Sequence, residues 1–181
     1  MNYTIRLVNI EDAAFILGLR NNPKLNRFLN STSSNVEDQI NWIKAYKQRE
    51  SEKKEFYFII LEDGVKRGLY RLYNINNYSF TIGSWLFDKC SNRHLPILTD
   101  LLISEYGFKS LKLPIMLFDI RKQNRKVINY HSLKNPLCFN EDEENFYYLI
   151  KSEDWENSKQ NILTLFQIES SSMYESLKID I

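Results

Sequence analysis

The side chains best suited to moving protons lie close together late in the chain: Asp119, Arg121, Asn124, Tyr130 and His131. Imidazole and phenol can each give a proton to a leaving group, and a carboxylate can take one from a nucleophile. Asn and Arg can hold polar ligand atoms. Spacing decides which of them can meet. Asn124, Val127, Ile128 and His131 fall at i, i+3, i+4 and i+7, so a helix from Gln123 to Leu133 carries them on one face. Asn124 stands where its side chain can cap the first turn, and Asn135-Pro136 ends the helix. Tyr130 is turned about 100° from His131, toward a neighbouring sheet. The apolar run Ile115–Ile120 before the helix reads as a buried strand. Strand end, polar turn and helix frame a site. The same pattern also describes a surface helix on a sheet, with His131 as a packed, hydrogen-bonded residue and Asp119 as a structural carboxylate.

Other elements must position this stretch. Tyr3–Val8 reads as a strand, and Asn9 caps a helix running to Leu19, with Glu11 and Asp12 in its first turn. Its exit, Arg20-Asn21-Asn22-Pro23, is both turn chemistry and a candidate polar ligand contact. A second helix follows over Val36–Glu50. Strands are expected at Glu55–Glu62, Lys66–Ile75 and Tyr78–Phe87. They are joined by Asp63-Gly64 and Asn76-Asn77, so they form an antiparallel meander. A helix from Leu95 or Pro96 to Phe108 leads to the Ile115 strand. A crossover helix makes its flanking strands parallel neighbours, so the strands at Ile82–Phe87 and Ile115–Ile120 should be parallel. The acidic run Glu141–Glu144 suits a solvated hairpin loop. A last strand, Asn145–Lys151, and a helix from Ser152 to Phe166 complete one domain over residues 1–168. A polar, frayed tail over 169–181 follows. The fold class is α+β, with a mixed, mostly antiparallel sheet flanked by helices.

Composition narrows the functions. At 181 residues the chain is large enough for a full core, and a net charge of +1 gives no general attraction to nucleic acid or an anionic membrane. Five glycines and no G-x-G-x-x-G or Walker pattern argue against dinucleotide or P-loop chemistry. Two histidines cannot make a multi-histidine metal site, and Cys90 and Cys138 have no metal spacing, so no metal is expected. No run suits a membrane span or a signal peptide. The expected compartment is the cytoplasm, with reduced thiols. Oligomeric state is left open.

The order of elements over residues 3–151 resembles the GNAT superfamily of acetyl-CoA-dependent N-acetyltransferases. Three places carry the resemblance. Arg20-Asn21-Asn22-Pro23 is similar to the Arg-Asn-x-Pro helix exit of the ribosomal-protein and sugar-nucleotide amine branch. Ile82-Gly83-Ser84-Trp85-Leu86 with Tyr106-Gly107-Phe108 is similar to the segments flanking the coenzyme loop. Asn124 with Val127 and Tyr130-His131 is similar to the Asn-x-x-Ala/Ser helix, whose aromatic acid stands seven residues after the Asn, here His131.

The resemblance implies an acetyl-CoA-dependent transfer to a small amine, most nearly an amino-sugar nucleotide of surface-glycan synthesis. A protein N-terminal acetyltransferase and a non-catalytic GNAT-like binding module are the alternatives. It implies His131 or Tyr130 as proton donor to the departing thiolate and backbone N–H groups near Trp85 and Leu86 for the oxyanion. Asn124 falls on the coenzyme side, and Arg20 and Asn21 on the acceptor side. The coenzyme phosphates would lie against Asn92, Arg93, His94 and Leu95 at a helix start, with Lys89, Arg93, Lys122 and Lys126 offsetting charge. That loop reads Ser91-Asn92-Arg93-His94-Leu95-Pro96 and lacks both family glycines. Asn92 is expected to take up the left-handed turn, and Asn135-Pro136 stands for the family's Gly-Phe.

Overall fold

The computed structural model describes residues 2–169 and 177–180. Eight strands form one sheet: β1 (Tyr3–Leu7), β2 (Phe56–Glu62), β3 (Val65–Tyr73), β4 (Ser79–Phe87), β5 (Ile115–Arg121), β6 (Leu137–Glu141), β7 (Asn145–Lys151) and β8 (Leu177–Asp180). Their spatial order is β6-β7-β5-β4-β3-β2-β1-β8. Five α-helices accompany them: α1 (Ala13–Arg20), α2 (Val36–Ser51), α3 (Leu95–Glu105), α4 (Arg125–Ser132) and α5 (Trp155–Leu165). Among the described residues no helix is long and apolar enough to cross a membrane.

The sheet has a core on each face, because strand side chains alternate. Ile59, Leu69 and Leu86 pack with Ile16, Leu19, Ile43 and Tyr46 of α1 and α2. Phe58, Tyr70, Phe80, Met116, Phe118 and Ile120 pack under α3, α4 and α5. Tyr106–Ser110 continues α3 as a π turn. Gly107 is required there, since a Cβ would lie 2.4 Å from the Phe80 ring.

The meander β2-β3-β4 is antiparallel, and β4 and β5 are parallel neighbours joined through α3, as the crossover demands. Their pairing covers only Ser79–Thr81 against Ile115–Leu117. Beyond that point β5 keeps its ladder with β7 along its whole length, while β4 follows β3, and the two strands splay apart. A bulge sharpens the divergence. The β3–β4 register jumps from Leu69↔Leu86 to Arg71↔Gly83, leaving Tyr70 opposite both Ser84 and Trp85. Ser84 sits at φ 49°, a left-handed conformation unusual for a residue with a Cβ.

Four details depart from the sequence reading. The acidic run is not all loop: Leu137–Glu141 is an added strand, paired with β7, and only the residues after Glu141 turn. Part of the tail is ordered: Leu177–Asp180 pairs in parallel with Tyr3–Arg6, so the sheet reaches past residue 168. Asn9 leads into a short 3-10 turn before α1, with its N–H bonded to Asp12 Oδ2 at 2.8 Å. Asn92 has no positive φ, whereas Asn135 stands at φ 51°. Asn135 therefore supplies the chain reversal after α4 that the family's glycine would supply.

Candidate active site

Where β4 and β5 part, the sheet opens into a cleft of about 840 Å³, a size that suits a drug-sized to nucleotide-sized ligand. Trp85 and His131 stand on its α3–α4 side. Tyr73, Gly83 and Asp119 lie in the strands, and Arg20, Lys24 and Arg27 lie on the segment leaving α1. The cleft thus runs through the sheet, with one side under α3 and α4 and the other under α1 and α2.

On the α3–α4 side a polar cluster is sealed in the core. Asp100 of α3 is fully buried. It accepts hydrogen bonds from Tyr70 Oη on Oδ1 at 2.5 Å and from Tyr130 Oη on Oδ2 at 2.6 Å. Lys134 Nζ, equally buried, lies 2.5 Å from Oδ2. Its ammonium also faces the Tyr130 and Trp155 rings at 5.4 and 5.9 Å. Burial opposes ionisation of Asp100, yet the Lys134 charge and the converging donors hold its carboxyl below the ordinary range. Burial beside that carboxylate pushes both phenols well above theirs. Three elements, β3, α3 and α4, are stitched at one carboxylate.

His131 is packed against this cluster. Its ring lies 4.7 Å from Phe118, 5.1 Å from Tyr130 and 5.7 Å from Trp85. Burial, with the Lys134 charge acting the same way and Asp100 opposing, lowers its pKa to about 3. The imidazole is therefore neutral at physiological pH. Its Nδ1 has no hydrogen-bond partner among the described residues, and its edge lines the cleft.

Eight residues singled out from sequence meet at this cleft: Arg20, Trp85, Leu86, Asp119, Arg121, Asn124, Lys126 and His131. Asn124 stands at the N-cap position of α4 but makes no side-chain capping bond, which leaves its amide to face the cleft instead. Tyr130 does not line it; its hydroxyl is committed to Asp100. Asn21 reaches back to the Ser33 carbonyl at 3.5 Å. Asn92, Arg93, His94 and Leu95 lie at the start of α3, outside the cleft lining. There Asn92 Oδ1 accepts from the His94 N–H at 2.9 Å, and the Asn92 carbonyl accepts from the Leu95 N–H at 3.0 Å. The side chain of Asn92 holds an amide that an incoming anion would otherwise take. Trp85 Nε1 donates to the Pro96 carbonyl at 3.0 Å and ties the bulge to that helix start.

Sequence reasoning missed Asp100, Lys134 and Tyr70 of the buried cluster and Lys24, Arg27 and Arg71 of the basic rim. The signal for the first was present: Asp100 interrupts the apolar run Leu98–Leu102, and Lys134 continues the buried face of Val127 and His131. Lys24 and Arg27 gave none, because a surface cation has no periodic signature. Six cations line the cleft, Arg20, Lys24, Arg27, Arg71, Arg121 and Lys126, against a single carboxylate, Asp119. Arg71 is paired with Glu55 and Arg121 with Glu144. Among the described residues the other four have no carboxylate partner.

Comparison with known proteins places this geometry. Residues 2–132 match the acetyltransferase (GNAT) domain. The structure described as FdhC, a nucleotide-linked sugar GNAT, superposes with a TM-score of 0.79 at 32% identity, over 92% of this chain and 94% of that one. Acetyltransferase PseH of Campylobacter jejuni is 24% identical over 147 residues, 81% of this chain and 90% of its own. The PseH structure in complex with acetyl coenzyme A gives a TM-score of 0.61 at 22% identity, over 81% of this chain and 98% of that one. The ribosomal-protein-S5-alanine acetyltransferase of Vibrio fischeri shares the fold, with a TM-score of 0.74 at 16% identity over 86% and 96% of the two chains.

Proposed function

The chain belongs to the acetyltransferase (GNAT) domain family, whose members transfer the acetyl group of acetyl-CoA, and we propose that its acceptor is the amine of a nucleotide-linked amino sugar. The observation that carries this is the charge of the cleft on its α1 side. Among the described residues Arg20, Lys24 and Arg27 stand there without carboxylate partners, in a chain whose net charge is only +1. A sugar nucleotide brings a diphosphate that such cations can bind. A polyamine would meet like charge, and a neutral peptide would leave the cations unused. The nucleotide-linked sugar description of FdhC supports the same acceptor class, and the likeness to acetyltransferase PseH supports acetyl transfer.

Each residue then has a part. The backbone N–H of Trp85, displaced from the ladder at the Ser84 bulge, and that of Leu86 beside it polarise the thioester carbonyl. His131, neutral and unpartnered at Nδ1, offers the leaving sulfur a hydrogen bond rather than a full proton. Tyr130 holds α4 against α3 through Asp100. Asn124 orients the donor thioester from the helix start. The coenzyme phosphates lie along Asn92–Leu95, where the His94 N–H exchanges Asn92 Oδ1 for a phosphate oxygen.

The test is coenzyme-thiol release with four acceptors: a nucleotide-linked amino sugar, the same amino sugar without its nucleotide, spermidine and an alanyl peptide. We expect turnover of the first, with a free nucleoside diphosphate competing against it. Preferred turnover of spermidine or the peptide would overturn the assignment.

A further inference from the structure

We propose that Asp119 is the catalytic base that takes the proton from the attacking amine. The proposal deepens the acceptor reading above, but it requires only that the acceptor be an amine.

Four observations carry it. Asp119 is the sole carboxylate among the cleft-lining residues, facing six cations. It lies on β5 just beyond Leu117, where the pairing with β4 stops, so it stands at the mouth of the splay. Alternation puts it on the opposite side of the sheet from Met116, Phe118 and Ile120, which pack on the His131 side. The coenzyme side and the proton acceptor are thereby separated by the plane of the sheet, as an amine and a thioester approaching from opposite faces require. Finally, among the described residues Asp119 makes no ion pair and no side-chain hydrogen bond with another residue. Three nearby carboxylates are committed elsewhere: Glu55 to Arg49 and Arg71, Glu144 to Arg121, Asp142 to Tyr147.

Its surroundings suit the role. Partial burial raises the carboxyl above its ordinary value and Asp142 adds to that, while Arg121 opposes it. Tyr73 of β3 and Tyr147 of β7 are the titratable phenols within its field. Tyr73 lies over β4, with its ring 3.0 Å from where a Cβ on Gly83 would stand. An incoming amine therefore meets Asp119 and Tyr73 beside a strand residue that offers no side chain.

The step balances without another reactant. The neutral amine nitrogen attacks the thioester carbonyl carbon and a C–N bond forms. The nitrogen, now cationic, passes one proton to the Asp119 carboxylate. The carbonyl re-forms, the C–S bond breaks, and the coenzyme leaves as a thiolate that takes a proton from solvent. Asp119 returns its own proton to solvent. The products are the amide and the free thiol.

The experiment compares wild type with Asp119→Asn and Asp119→Glu in the full chain, using thiol release and whichever amine the wild type turns over. An amine other than a sugar nucleotide would thus refute the acceptor reading and leave this test intact. We expect Asp119→Asn to lower kcat roughly 100-fold with the acetyl-CoA half-saturation unchanged, and Asp119→Glu to recover part of the loss. Saturating kcat in wild type should fall at acid pH as the carboxylate protonates, and the Asn variant should lack that acid limb. Thermal melting should be unchanged, which separates the role from a structural one. A kcat within threefold of wild type in Asp119→Asn would overturn the proposal. So would an unchanged kcat with a raised acceptor KM, which would make Asp119 a binding contact only.

Discussion

The two sides of the β4–β5 cleft handle charge in opposite ways. Under α3 and α4, Asp100 draws Lys134, Tyr70 and Tyr130 together in the core through one ion pair and two hydrogen bonds, and His131 beside them is held neutral. Under α1 and α2, Arg20, Lys24, Arg27 and Asp119 reach the cleft with no ion pair among the described residues. A buried charge is tolerable only when it is paired, so the first side can hold a geometry but cannot readily exchange protons with a ligand. An unpaired charge at a solvent-filled cleft costs little to keep and is free to meet a substrate. The sealed side therefore fixes shape and tunes His131, and the open side is where we propose that the acceptor binds.

The largest expected effect breaks the sealed side. Lys134→Met leaves Asp100 buried without its cation and should destabilise the fold by about 3–5 kcal/mol, measured by denaturant unfolding. Removing both charges, in Lys134→Met with Asp100→Leu, should recover much of that loss. A single Lys134→Met as stable as wild type would mean that the cluster does not hold α3 to α4.

His131 sharpens the contrast through pH. Its folded-state pKa is about 3 against about 6.5 unfolded. The native state thus binds fewer protons than the unfolded chain between those values. The stability it protects is fully present above pH 6.5 and is lost as pH falls toward 3. The slope from this one group approaches about 1.4 kcal/mol per pH unit. His131→Phe should flatten the fall in melting temperature between pH 6.5 and 4, whereas Asp119→Asn should leave it in place. The same substitution should lower turnover, because it removes the hydrogen bond to the leaving sulfur.

On the open side, Lys24→Glu with Arg27→Glu should raise the acceptor KM about tenfold or more and leave acetyl-CoA half-saturation unchanged. Stability should shift by no more than about 0.5 kcal/mol, as expected for surface positions. An equal loss for both substrates would place these cations on the coenzyme path instead.

How much of this was legible follows the same divide. The fold was read from periodicity: the meander, the crossover helix and the parallel pair at β4–β5 all appear where alternation and turn residues put them. Boundaries failed where chemistry departs from pattern, as at Leu137–Glu141, an exposed edge strand with no buried face to betray it. Of the cleft lining, Asn124 and His131 were legible because a family motif and a helical face agree on them, and Trp85 and Leu86 because the motif marks their strand. Tyr130 was legible as a residue but not in its role, since its partner Asp100 is 30 positions earlier and no local spacing links the two. Lys24 and Arg27 follow from the folded cleft alone.

The smallest expected effect falls on the border between the two sides, at Ser84. Its φ of 49° costs a residue with a Cβ about 1–2 kcal/mol, and glycine would remove that cost. Glycine also gains conformational freedom in the unfolded chain, worth about 0.5–1 kcal/mol against the fold. The two terms nearly cancel, so Ser84→Gly should change stability by less than about 1 kcal/mol in either direction. The catalytic consequence depends on what maintains the bulge. If the β3–β4 register on either side, Leu69↔Leu86 and Arg71↔Gly83, holds the Trp85 and Leu86 amides in place, then kcat should change by less than about threefold. Ser84→Val tests the same point from the other direction. A β-branched side chain resists a left-handed backbone, so the bulge must shift, carrying those amides with it, and kcat should fall while both half-saturation values hold. Equal activity in the Gly and Val variants would show that the oxyanion donors lie elsewhere on β4, and the boundary between the sealed and the open side would have to be redrawn around them.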